Sequence, residues 1–411
     1  MPRLLLCLLL LFAPAGVRAA DFDFEGAPHN YWHRPLTDRF TKLKADLETG
    51  RLKLDTSNEK AFLRSLLGTL DIPASSQMLV FSTTSLQLRF ISPRNPRALF
   101  FNEDVYVGYI PGARIEVLSL DPALGGIFYI FDVPRGDTPP RIERSERCMN
   151  CHAREDTQFV PALTAKSVVP GISGGSLIGF RQQQTGHGIP LKDRFGGWYV
   201  TGAENIAEHW GNTAGRYVEG KLQRVPVEPG HYFNFDRYPV ATSDVLPQLL
   251  HEHQIGFANR VIEATYRARA YLTADDGQLS AEHAQELDDK ARAVVRYMLF
   301  ADEAALPTGG IPGDSAFKSD FARNRHPGPG GASLKDLDLK THLLRYRCSY
   351  MIYSDVFSGL PAEMRQRVDQ QLAAALSETK PDPAFAYLPV EEKRAIRGIL
   401  KATLKNPPAG L

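Results

Sequence analysis

Residues 148–152 read Cys148-Met149-Asn150-Cys151-His152, and no other stretch of the 411-residue chain limits it as much. Two thiols three positions apart, followed at once by an imidazole, form the C-x-x-C-H pattern of c-type haem attachment. The spacing has a chemical reason. Such thiols reach the two vinyl groups of one macrocycle as thioethers, and the adjacent imidazole is then placed to bind the iron. A Cys-x-x-Cys redox pair needs no following histidine, and no thioredoxin-like βαβ pattern surrounds this one. Structural zinc asks for four ligands, and no second Cys or His pair is obvious nearby. The pattern occurs once. The expectation is therefore one covalently bound haem c, held by Cys148 and Cys151 with His152 as proximal iron ligand.

The first 19 residues add a second constraint. Arg3 precedes the apolar run Leu4 to Phe12, and Val17-Arg18-Ala19 offers a small-residue cleavage site. This reads as a secretory signal, residues 1–19, and predicts export to the periplasm or beyond. That is where c-type haem is attached. No later run approaches 18 apolar residues, so no membrane span is expected after cleavage. The mature cysteines would be Cys148, Cys151 and Cys348, too few for a disulfide framework. Cys348, between Arg347 and Ser349, reads as a small buried hydrophobe. Lys+Arg is 48 against Asp+Glu 47, so no basic field suggests nucleic acid.

What stands opposite His152 separates electron carriage from ligand chemistry. Met149 sits inside the haem loop and cannot reach the other face, and Met298 has the apolar neighbours of core filler. Residues 244–272 read as one long helix with Thr242 or Ser243 as its cap. Leu246, Leu249, Leu250, His253, Phe257 and Val261 recur at helical spacing, which puts His253 on the apolar stripe. His253 is the first candidate for the distal iron ligand; a buried histidine bonded to a carbonyl is the plainer reading. His251 falls round the side of the helix and is the poorer candidate by position. His187 and His209, flanking an aromatic turn, are the alternatives. Arg154, Arg181 and Arg194 are candidates for pairing with haem propionates.

The pattern predicts an α+β chain: a β-rich haem region followed by a mainly helical C-terminal region. Residues 20–75 form a helical lead-in, 76–240 the β-rich haem c-binding part, and 241–411 the helical part. Runs at 78–81, 86–91, 98–101, 105–110, 115–120 and 126–131, punctuated by Asn, Asp, Gly and Pro, read as an antiparallel meander. Strands are also expected at 163–169, 175–180 and 197–201. The glycines of Gly196 to Gly202 allow close backbone approach to another strand or to a macrocycle edge. Helices are expected at 281–300, 333–357, 361–376 and 390–404, with 307–331 a Gly/Pro-rich irregular loop.

Several blocks resemble large exported bacterial proteins with a single cytochrome c-type haem domain. They are Ser75 to Phe81, Ile91 to Arg94, Asp104 to Gly108, the C-x-x-C-H, Gly196 to Gly202, Glu252-His253-Gln254, Ser333 to Leu339 and Cys348-Ser349-Tyr350. The resemblance implies haem c and export, and it names no substrate. Such proteins carry a further histidine before the asparagine on the His253 helix; here that position is Ala258, before Asn259, which leaves His253 first.

Three functions follow. The first is an electron-transfer protein serving a periplasmic redox partner. The second is a peroxidase-like haem enzyme or small-molecule sensor with an open sixth site, where His253, His187 or His209 is a distal acid/base. The third is a binding module docking a partner through its helical half. No second C-x-x-C-H, HExxH or nucleophile elbow points to a known reaction class.

Overall fold

Alternating side chains between residues 78 and 131 build one antiparallel sheet with a helix layer on each face. The computed structural model describes residues 23–136, 138–179 and 186–411; the expected leader and Arg181 lie outside them. Helices α1 (Arg39–Glu48) and α2 (Glu59–Thr69) come first. Asp38 and Asn58 cap them, each accepting hydrogen bonds from first-turn N–H groups. Strands β1 (Met78–Val80), β2 (Arg97–Phe101), β3 (Val105–Tyr109), β4 (Ile115–Asp121), β5 (Gly125–Phe131) and β6 (Glu143–Arg144) lead to the one-turn helix α3 (Met149–His152). After it come the hairpin β7 (Val168–Pro170) and β8 (Ser176–Gly179), the short strand β9 (Trp198–Tyr199), and the hairpin β10 (Thr213–Val218) and β11 (Lys221–Pro226). The main sheet runs β6-β5-β4-β3-β2-β1-β9. The expected meander is present.

Because side chains alternate across a strand, the sheet has two distinct faces. One carries Phe100, Val105, Val107, Ile115, Val117 and Phe131, which share a core with Phe40, Phe62, Leu63 and Leu66 of α1 and α2. On the other, Phe101, Tyr106, Leu118 and Phe128 line up as one cross-strand row through consecutive pairings.

The C-terminal part consists of α4 (Val245–Ala274), α5 (Ala281–Met298), α6 (Ser315–Ala322), α7 (Asp355–Ser358), α8 (Ala362–Ala375) and α9 (Val390–Thr403). The chain is α+β, with the β-rich region first and the helical region after it. The two regions are not separate bodies: Met78, Val80, Phe101, Tyr106 and Leu120 share one core with Leu246, Leu250, Phe257 and Val261. Helix α4 starts one residue later than expected and is capped by Asp244, whose carboxylate accepts from the Leu246 N–H at 3.0 Å. Ser243 instead ties the helix to the sheet, donating to the Tyr199 carbonyl and accepting from the Leu79 N–H. Among the described residues no helix is long and apolar enough to cross a membrane.

Four expectations are corrected. Residues 333–349 are not helical, because Asp338 accepts from the Lys340 and Thr341 N–H groups at 2.7 Å and closes a side-chain turn, and only a 3-10 turn follows at Tyr350–Tyr353. Leu339 takes φ +62°, and Leu337 bridges Leu344. Residues 86–91 are not a strand. The Gln87 amide bonds both the N–H and the C=O of Arg114, so side chain replaces ladder and 88–90 curl into a 3-10 turn. The loop 307–331 contains α6, started by the Asp314 cap. The hairpin of β10 and β11, turning at Glu219-Gly220, went unnoticed among polar residues.

Candidate functional site

The C-x-x-C-H segment leaves the sheet edge after β6 as a 3-10 turn at residues 146–148 and continues into α3. Ala153 leaves helical geometry at φ −136°, so the helix stops after one turn. Met149 is buried in the sheet core and anchors it. That leaves Cys148 half-buried and Cys151 exposed, both as free thiols. Burial pushes the Cys148 thiol up to about 11, so it stays protonated at neutral pH.

His152 Nδ1 lies 2.8 Å from the Ala162 carbonyl oxygen. A carbonyl only accepts, so Nδ1 carries the proton and Nε2 keeps its lone pair, the tautomer an axial ligand needs. Burial pushes the imidazole down to about 4, so it is neutral. Its ring rests on Phe128 of β5, centroids 4.4 Å apart. The carbonyl is itself held in place. Asn259 of α4 clamps the next residue, donating to the Leu163 C=O at 2.8 Å and accepting from its N–H at 2.9 Å. Pro161 accepts from the Gly126 N–H at 2.9 Å. One helix and one strand therefore fix how the His152 imidazole faces.

The other histidines fall in three places. His253, the first candidate for the distal position, is fully buried with both nitrogens taken: Nδ1 is 2.8 Å from His187 Nδ1, and Nε2 is 2.7 Å from Ser349 Oγ. That leaves it no lone pair for iron. His187 is equally engaged, with Nε2 3.3 Å from the Ala301 carbonyl. His209 Nδ1 accepts from the Gly211 N–H at 3.0 Å and shapes its own turn. His251, set aside on position, faces the sheet: its ring packs 5.3 Å from Phe101, 5.7 Å from Tyr106 and 6.3 Å from Trp198. It is 5% exposed, and among the described residues neither of its ring nitrogens has a hydrogen-bond partner.

The helical stripe misplaced these two residues for a physical reason. From Val245 to Ala258 every residue of α4 except Glu252 is buried, because sheet and helices enclose it on both sides. Residues two apart on a helix point about 200° apart. His253 therefore looks into the helical half and His251 into the sheet.

The arginines are also redistributed. Arg194 is 2% exposed and donates to the carbonyls of Gly186, His187 and Ile189 while pairing with Glu252, so it clasps its own loop. Arg154 lies exposed at a 3-10 turn. Arg97 of β2, which the sequence did not single out, pairs with Glu116 at 2.9 Å, while its Nε is buried without a partner. Its positive charge acts on both His152 and His251. The glycine-rich Gly196 to Gly202 segment meets strand: the Phe81 and Ser82 N–H groups donate to the Gly197 carbonyl, and Gly197 takes φ +87°. Met78, Met298, Met351 and Met364 are fully buried core residues. Cys348 is fully buried and burial raises its pKa, as expected of an inert thiol.

A cavity of about 1360 Å³ opens ahead of the C-x-x-C-H segment, with walls that are mostly polar: Gln87, Arg114, Ile130, Glu143, Ser145 and Arg147. Leu86 and Leu88 at its side are 37% and 57% exposed, unusual for large apolar residues. The residues at the C-x-x-C-H segment fit a haem c: two free thiols, an imidazole with an open Nε2, the apolar Phe128 and Leu118 of the sheet, and the orphaned Arg97 N–H for a carboxylate. The chain matches no family model, no curated protein and no solved structure.

Proposed function

We propose that this chain is an exported mono-haem c-type cytochrome that carries electrons, with Cys148 and Cys151 as the thioether anchors and His152 as proximal ligand. The observation that carries the reading is the His152 Nδ1 contact with the Ala162 carbonyl, which frees Nε2 beside two unpaired thiols. When bound, a haem c supplies a reversible one-electron iron couple. The protein's part is to position and insulate. Phe128 and the Ala162 segment fix the imidazole plane, Leu118 and Ile130 offer an apolar surface, and Arg97 supplies a donor to a buried carboxylate. The exposed Leu86 and Leu88 give a redox partner protein in the periplasm an apolar surface to approach.

Expression in a host with a c-type haem maturation system tests this. Wild type should keep its haem through a denaturing gel, and Cys148→Ser/Cys151→Ser should lose it. The protein should titrate as a single one-electron centre. Wild type without covalent haem sinks the reading, and rapid peroxide turnover by the purified protein would favour the enzyme instead.

A further inference from the structure

We propose that His251, not His253, is the second axial ligand, making the iron six-coordinate between two imidazoles. This rests on the cytochrome reading above and deepens it. Two observations carry it.

The first is place. His152 rests on Phe128, and His251 rests on Tyr106 and Phe101. These residues and Leu118 form one cross-strand row, with Leu118 between Phe128 and Tyr106. At the usual strand spacing, Phe128 and Tyr106 are about 10 Å apart. The two imidazoles thus stand over the same row on either side of a half-buried leucine. In the neighbouring row Gly108 lies beside Glu116 and Leu99, and a Cβ there would come within 3.1 Å of the Glu116 carboxylate, so the floor stays low.

The second is chemistry. A buried imidazole normally bonds something through at least one nitrogen, since an unmet polar group costs about 1–3 kcal/mol. His253, His187 and His209 all follow that rule. His251 is surrounded by aromatic rings and makes no such bond among the described residues, so its nitrogens are available to a ligand of the site.

Helix α4 then serves the centre twice, through His251 directly and through Asn259, which clamps the segment holding His152.

The test uses the haem-loaded protein. Near-infrared magnetic circular dichroism of the ferric wild type reads the axial pair without a variant, and two imidazoles are expected. Wild type should be low-spin, with a ferrous spectrum unchanged by carbon monoxide. His251→Gly should become high-spin and bind carbon monoxide, and free imidazole should restore the low-spin spectrum. His253→Ala should remain low-spin. A high-spin wild type, a His251→Gly variant that stays low-spin, or conversion by His253→Ala instead would each overturn the assignment while leaving covalent haem intact. Loss of covalent haem from wild type overturns the cytochrome reading, and this assignment with it.

Discussion

His187 and His253 meet nitrogen to nitrogen, with 2.8 Å between their Nδ1 atoms. Only one of the two can carry the shared proton. The Ala301 carbonyl accepts from His187 Nε2, so the neutral His187 must accept at Nδ1. His253 therefore donates from Nδ1 and accepts at Nε2 from the Ser349 hydroxyl. Both rings lie nearly parallel to those of Tyr297 and Phe300, with centroids 4.0–5.4 Å apart. This slot binds α4 to α5 and to the turn at Ser349.

The slot admits no extra proton, which gives a pH dependence. Burial lowers His187 to about 3 and lowers His253 as well. The unfolded chain, with histidines near 6.5, binds protons first, so stability falls as pH drops below about 6.5. For His187 alone the loss from pH 7 to pH 5 is about 2 kcal/mol. Urea midpoints at the two pH values should show it. His187→Gln should remove that share of the difference; an unchanged difference would count against the neutral pair.

Gly256 lies where α4 passes Tyr297, and a Cβ there would overlap the Tyr297 hydroxyl. Gly256→Ala gains about 1 kcal/mol of helix propensity and loses about 1–3 kcal/mol to overpacking, so the net change should be destabilising. In a Tyr297→Phe background the same substitution should cost less. Thermal unfolding of the four proteins decides it, and equal costs in both backgrounds would be the failing result.

Asn259→Ala leaves the N–H and C=O of Leu163 without their partner and should cost about 2 kcal/mol. Its effect should reach the His152 imidazole through the adjacent Ala162 carbonyl. The expected readout in the haem-loaded protein is a shifted reduction potential with the low-spin spectrum retained. Asn259→Asp, which keeps an acceptor for the Leu163 N–H, should shift it less.

Arg97 and Glu116 form a largely buried pair, 14% and 23% exposed. Burial alone would raise the Glu116 pKa, yet Arg97, Ser85 and Gln87 together hold it below the ordinary value. Arg97→Ala should cost roughly 2 kcal/mol, less than for a fully buried pair because water reaches part of it. Arg97→Ala/Glu116→Ala should cost less than the two single changes together. Strict additivity in denaturant melts would show that the pair is not coupled.

The meander was legible because β2 to β5 alternate cleanly between two packed faces, with Pro111-Gly112 and Asp121-Pro122 marking turns. The proposed anchors Cys148 and Cys151 and the proposed ligand His152 stand out in the sequence because haem attachment needs a fixed local spacing. His251 does not, since periodicity identifies a helix with one buried face and α4 has two. Arg97 and Asn259 act through partners distant in sequence, Glu116 and Leu163, and nothing local marks them. At 333–349 helical spacing was present, but Asp338 offered the backbone a nearer acceptor.

The two contributions that α4 would make to the proposed centre, His251 and Asn259, lie eight residues apart on one unbroken helix. A single residue inserted between His251 and Asn259 would turn one against the other by about 100° and slide it by about 1.5 Å. Changes of length should therefore be tolerated at the β10–β11 turn and not within this stretch. Under the proposed assignment that helical segment carries one ligand and the support of the segment that holds the other, so it is the natural unit to swap when re-engineering the site.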